Sequence, residues 1–274
     1  MKNKIILGLL TACLSFSSLA TAKETTYTFG VVPQQAANVL ANSWVPLTQY
    51  ISKRTGLTVN FATAANIPTF EKRLADNAYD IAYMNPFHYV VFSERSNYAA
   101  IANQASKKIQ GVIVAKKDSN IESIADLQYS SLAFPAPGAF AATLLPQAEL
   151  KQNQIEFTPR YVSSHDSVYL SVAKGFFMAG GGVKRTLNNM PDNVRATLKV
   201  IYATQRYTPH AFAVHNKMPA AHQKAIQDTL ANMANDPEGE AILSKLGMSQ
   251  LQAARDSDWD DIRALNLNAE AIAK

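Results

Sequence analysis

The 274-residue chain has a single cysteine, Cys13. It can form no internal disulfide, and a chain cut after Ala22 keeps no thiol for nucleophilic or redox chemistry. Charge is sparse. Only 17% of residues are charged and the formal net charge is +5, a balance that falls from +5 to +3 if Lys2 and Lys4 are removed. With no dense Lys/Arg run, nucleic acid is excluded as a partner, and a small anion is mildly favoured. No internal apolar run is long enough to span a bilayer. Gly-x-Ser-x-Gly and His-Glu-x-x-His are both missing. The five histidines (His88, His165, His210, His215 and His222) lack metal-ligand spacing, so neither metal nor cofactor is expected. Ser164, His165 and Asp166 are neighbours on one helix start and cannot form the spatial relay of a hydrolase triad. No enzyme is expected.

The first segment reads as an export signal. Lys2 and Lys4 form a basic start, "IILGLLTACLSF" an apolar stretch, and Ala20-Thr21-Ala22 a small-x-small site. Cleavage after Ala22 and a periplasmic destination are expected. The competing reading is a lipoprotein anchored at Cys13, because Leu10-Thr11-Ala12-Cys13 resembles a lipobox. The apolar stretch before Cys13 is short for that, and "LSFSSLA" is more apolar than a usual tether.

Beyond residue 22, strands and helices alternate. "YTFGVV", "LTVNF", "YDIAYM" and "YAAIANQ" read as strands separated by helices, a βαβαβαβ order that implies a parallel sheet covered on both faces. Gly56 is placed to end the first helix, and Asn85-Pro86 to open the third. From Gly111 a second run begins: "GVIVAKK", "SLAF", "PRYV" and "FFMAGGGV" as strands, "AFAATLLPQAEL" and "SHDSVYLSVAKG" as helices. Ile226, Leu230 and Met233 then form a helical stripe, Asp236-Pro237 opens another helix, and a last helix is expected over 257–265. The predicted fold class is α/β, with two lobes of mixed, mostly parallel sheet flanked by helices. Lobe 1 is expected over 23–108 and 207–274, and lobe 2 over 109–206, the chain crossing near 105–111 and 203–209.

Ligands of such sheets bind beyond the carboxyl ends of strands and between domains. The positions to inspect are therefore Pro33 to Gln35, Asn66, Tyr83 to Asn85, Ala136 to Phe140, Ser163 to Asp166, Gly180 to Gly182, and Arg206 to His210. Ser164 and His165 could bind an anion at a helix start, or Ser164 could only cap it. Asp166 reads as a cap or an orienting partner. Tyr83 and Asn85 either reach ligand or belong to the core. Arg206 could make a bidentate anion contact or be a solvated surface residue, and His210 could be hinge, core or ligand. Gly180-Gly181-Gly182 before Lys184 and Arg185 lacks P-loop spacing and reads as a flexible strand end facing the cleft. Phe134, Phe140, Phe176 and Phe177 read mostly as core, with Phe140 a possible cleft wall.

"FGVVPQQ", "WVPLTQYISKRTGLTVNF", "DIAYMNPFHYVVF", "GVIVAKKDSNIESIADL", "HDSVYLSVAKG" and "DPEGEAILSKLGM" resemble, in order, the phosphate/phosphite/phosphonate-binding family of ABC-importer periplasmic proteins. The resemblance implies a type II periplasmic binding fold, a small solute held between lobes, an inner-membrane permease as partner, and a monomer. A ligand-sensing partner of a membrane receptor or sensor kinase is the alternative role. The resemblance places His165 at a cleft histidine. It also exposes departures: no hydroxyl cluster at Pro137-Gly138-Ala139, Met178 in place of an acidic residue, and a cleft tyrosine replaced near Asn66. The backbone donors of Gly138, Ala139 and Phe140 remain, so this stretch predicts a less heavily hydrogen-bonded or partly apolar solute.

Overall fold

A computed structural model describes residues 25–272. The expected leader, with Cys13, Lys2, Lys4 and the expected cleavage after Ala22, lies outside the described residues. The first run is β1 (Thr26–Val31), α1 (Ala37–Thr55), β2 (Thr58–Ala62), α2 (Ile67–Ala75), β3 (Ile81–Met84), α3 (Pro86–Arg95) and β4 (Tyr98–Gln104). The second is β5 (Ile109–Lys116), β6 (Ser130–Phe134), α4 (Leu145–Gln152), β7 (Phe157–Tyr161), α5 (His165–Ala173), β8 (Ala179–Val183), α6 (Lys184–Asn188), α7 (Asp192–Arg195) and β9 (Leu198–Tyr207). The chain then returns through β10 (Ala211–His215), α8 (Ala220–Ala231), α9 (Pro237–Lys245), β11 (Leu251–Ala253) and α10 (Asp260–Arg263).

Local chemistry sets many of these limits. In α1, Leu40, Trp44, Leu47 and Ile51 recur at helical spacing and are buried. Gly56 ends the helix with φ 71°, its amide returning to the Ser52 carbonyl. Asn66, Asn85 and Asp236 each cap the helix that follows, and each is followed within two residues by proline in the first turn.

Two sheets result. One has the order β11-β4-β10-β3-β1-β2, the other β7-β6-β8-β5-β9. In the first, β1 pairs in parallel with β2 and β3, but β10 lies antiparallel between β3 and β4. The expected run of neighbouring parallel strands is therefore interrupted, because the returning chain supplies the central partner. The sheets are joined at residues 105–108, between β4 and β5, and at 208–210, between β9 and β10.

Four local expectations are corrected. The stretch over 139–150 is not one regular helix: residues 140–144 form a wide π turn that leads into α4. The last helix is a 3-10 turn at 256–259 followed by the short α10. Phe176 is 73% exposed rather than core. The glycines of β8 are not a flexible end but a tightly covered central strand. A Cβ on Gly181 would stand 2.0 Å from the Ala142 carbonyl oxygen, and one on Gly182 2.2 Å from Tyr169 Oη. The missing side chains let the π turn and α5 lie directly on the sheet.

One buried apolar cluster spans both halves. Ala136, Phe140, Ala142 and Leu145 of the second half pack with the core of the first, which includes Phe29, Trp44 and Phe212. Two smaller clusters fill the rest of the second half.

Candidate functional site

Several helix starts meet where the sheets adjoin. Asn85 closes β3 and caps α3: its Oδ1 accepts from the His88 amide at 2.7 Å. Its Nδ2 donates to the Gly138 carbonyl at 3.0 Å, linking the two halves. Phe140, Ala141 and Ala142 occupy the first positions of the π turn, where amides precede any intrahelical acceptor. His165 is the first residue of α5. These residues, with Val32, Gln34 and His210, enclose a void of about 10 Å3. That is room for about one water, far less than a tetrahedral oxyanion needs.

Gln34 organises the polar side of this void. The Arg185 guanidinium donates to Gln34 Oε1. The Gln34 amide lies 3.1 Å from His210 Nε2. Its Oε1 is already used as an acceptor, so the amide nitrogen donates and His210 Nε2 accepts. That assignment requires a neutral ring. Burial, then Arg185, His88 and His165, push the His210 pKa well below the usual imidazole value. Burial and then Arg185 push His165 down to about 3. Both rings are therefore uncharged at neutral pH. His210 also stacks on Tyr83, with ring centroids 4.9 Å apart. Trp44 and Phe212 flank the same tyrosine.

Outside the void lies a cavity of about 340 Å3. Gln34, Ile109, Val183 and His210 line both spaces, so they adjoin. The wall of the larger one carries Lys107, Lys108, Lys184, Arg185 and Arg206, and no Asp or Glu. The arrangement can receive negative charge. Among the described residues, no three His, Cys, Asp or Glu side chains come close enough together to hold a metal ion.

A family model described as "ABC transporter, phosphonate, periplasmic substrate-binding protein" matches residues 29–259. The chain belongs to that family. It is therefore a periplasmic substrate-binding protein of the phosphonate ABC-transporter family, a class that implies a small-molecule ligand and a membrane permease. It is 24% identical to a phosphonates-binding periplasmic protein of Escherichia coli, over 98% of this chain and 86% of that protein. It is 23% identical to a phosphate-import protein of Mycolicibacterium smegmatis, over 74% of this chain and 70% of that protein. Its fold matches a methylphosphonate-bound structure from Prochlorococcus marinus with TM-score 0.81 at 19% identity, covering 89% of this chain and 99% of that one.

Within this family member, the structure gathers some of the sequence-predicted residues and leaves others aside. His165, His210, Asn85, Ala139 and Phe140 all line the void, and Tyr83 and Arg206 the larger cavity. Ser164 lines neither. Its hydroxyl accepts from the Ser167 amide as the cap of α5. Pro137 and Gly138 also lie outside both walls, Gly138 contributing its carbonyl to Asn85. Phe140 is 1% exposed and packs edge-on against Tyr207. Met178 precedes β8 at the end remote from both cavities, with its sulfur against Ser130. That departure from the family pattern is therefore not at this site. Asn66 caps α2.

Sequence reasoning did not single out Lys107 or Lys108, set Arg185 aside together with the rejected phosphate-loop reading, and treated Gln34 only as one strand-end position among many. The available signal was position. Gln34 follows β1 by three residues, and Arg185 follows β8 by two.

Proposed function

We propose that this protein delivers a phosphonate- or phosphate-like oxyanion to an inner-membrane ABC permease, holding it at the junction of its two lobes. One observation carries the reading: the Arg185–Gln34–His210 chain stands beside uncharged His165, in a wall with five cationic side chains and no carboxylate. A neutral histidine donates one hydrogen bond to an anion without a desolvated charge, and Arg185 supplies the charge. Asn85, Ala139 and Phe140 complete the inner wall, and Tyr83 and Arg206 line the larger cavity outside it. The lobes, taken as 23–108 with 207–274 and as 109–206, turn about the crossings to admit a solute that the 10 Å3 void cannot hold as it stands. No step of this role is catalytic. The mature protein begins after Ala22, which N-terminal sequencing of the exported chain tests.

Thermal shift and calorimetry on the mature protein test the binding claim, with phosphate, phosphite, methylphosphonate, sulfonates and small carboxylates as ligands. A true ligand at 100 times its Kd adds about 2.7 kcal/mol of stability. Stabilisation only by neutral or cationic solutes would overturn it. Uptake of a labelled ligand in a deletion strain tests delivery. Normal uptake with a lost transcriptional response would assign the sensing role instead.

A further inference from the structure

We propose that the solute carries a second anionic group, which is held in the larger cavity, outside the void, by Lys184, Arg206 and Lys107. The inference rests on the oxyanion reading above and sharpens it. At about 340 Å3, the cavity is within the range of sites that enclose a whole organic ligand, and a single oxyanion at the Gln34–Arg185 end would leave most of it open.

Charge decides what fills the remainder. Five cationic side chains line the wall and no carboxylate does. Arg185 is engaged with Gln34, and Lys108 with Thr208 Oγ1 at 3.0 Å, its ammonium 3.8 Å from Asp261. Lys107 reaches the Gly247 carbonyl at 3.1 Å. The side chains of Lys184 and Arg206 make no hydrogen bond or ion pair among the described residues. Gln104, in the same wall, keeps its Nε2 amide buried without a partner. Surface cations usually stand near carboxylates, so a concave wall of like charge with idle donors costs self-repulsion that a polyanion relieves. The same wall repels a ligand whose second group is an ammonium.

The class predicted is a phosphonate or phosphate bearing a further phosphonate, phosphate or carboxylate. Calorimetry at one fixed ionic strength compares methylphosphonate, phosphonoacetate, methylenebisphosphonate and 2-aminoethylphosphonate. Phosphonoacetate or the bisphosphonate should bind about tenfold or more tighter than methylphosphonate, and the aminoethyl compound weaker than it. In Lys184→Ala/Arg206→Ala, the ratio of doubly anionic to methylphosphonate affinity should fall toward one. These are exposed side chains, so unchanged thermal melting serves as the folding control. Methylphosphonate binding as tightly as both larger anions overturns this proposal alone, as does a ratio unmoved in the variant. If none of these ligands nor inorganic phosphate binds, the oxyanion reading falls with it.

Discussion

The side chain of Asn85 and the carbonyl of Gly138, 53 residues apart, form a 3.0 Å hydrogen bond from the end of one sheet to the turn after a strand of the other. The same side chain caps α3, so one residue fixes a local helix start and a long-range contact together. Removing it loses both. Asn85→Ala should cost about 1–3 kcal/mol, from the lost cap and the orphaned buried carbonyl. Asn85→Ser retains a capping oxygen but cannot reach Gly138, and its cost should be smaller. Denaturant unfolding of the two variants checks this, and equal costs would assign the whole effect to the lost Gly138 bond rather than to the cap.

Gly138 faces a buried pair. His88 Nε2 lies 2.8 Å from Glu71 Oε1, both residues being almost fully enclosed. A Cβ at position 138 would stand 2.1 Å from that same Glu71 oxygen and 2.6 Å from Ile272. Gly138→Ala should therefore destabilise by about 1–3 kcal/mol or more, as overpacking does. A melting temperature equal to wild type would show that Glu71 moves aside freely.

The two uncharged histidines give stability a definite pH dependence. His165, with its pKa near 3, and His210, also depressed, stay unprotonated in the fold, while the unfolded chain takes up protons below about 6.5. The unfolded state then binds more protons, so stability is intact above that value and falls as pH drops through it. The slope reaches about 1.4 kcal/mol per pH unit for each ring. Asp166 works in the opposite sense at the acid end. Burial raises its pKa against the donation from the Ala36 amide, so the fold gains relative stability as it protonates. His165→Asn should flatten the curve between about pH 4 and 6.5. An unchanged slope in urea titrations would contradict the assignment.

Arg185→Ala should weaken oxyanion binding by about 10- to 100-fold, the worth of one hydrogen bond to a charged group. Gln34→Glu offers Arg185 a permanent ion-pair partner and sets a negative charge beside the void. It should abolish most binding, and because it removes the buried donor to His210 Nε2 it should also lower the melting temperature. Calorimetric titration of both variants with the same anion reads the effect.

Much of this molecule was legible because local chemistry fixed it. Asn85-Pro86, Asp236-Pro237 and the Gly56 terminus each announce a helix end through capping and φ alone. What the sequence concealed is non-local. Nothing in "AFAVH" states that it inserts between β3 and β4, because strand period does not encode which strand is the neighbour. Gly180 to Gly182 look identical whether they serve a loop or a crowded strand, and only the Tyr169 ring and the Ala142 carbonyl separate the two. Phe176 reads as core from its type, yet stands at the solvent side of a turn. At the site, the helix-start residues were visible as strand ends, but Gln34 and Arg185 lie 151 positions apart and meet only in the fold.

The placement of β10 also sets an order of assembly. The strands of the second sheet lie in one unbroken stretch, 109–207. The first sheet cannot close until residues 211–215 arrive, because β3 and β4 do not pair with each other and β10 stands between them. A chain appearing from its N-terminus therefore completes the later-numbered sheet before the earlier one, and until then β3 and β4 keep open edges. A nascent or translocating chain holds those edges unpaired for more than a hundred residues of synthesis, counted from the end of β4 to the start of β10, and that window is where a holding chaperone would act on it.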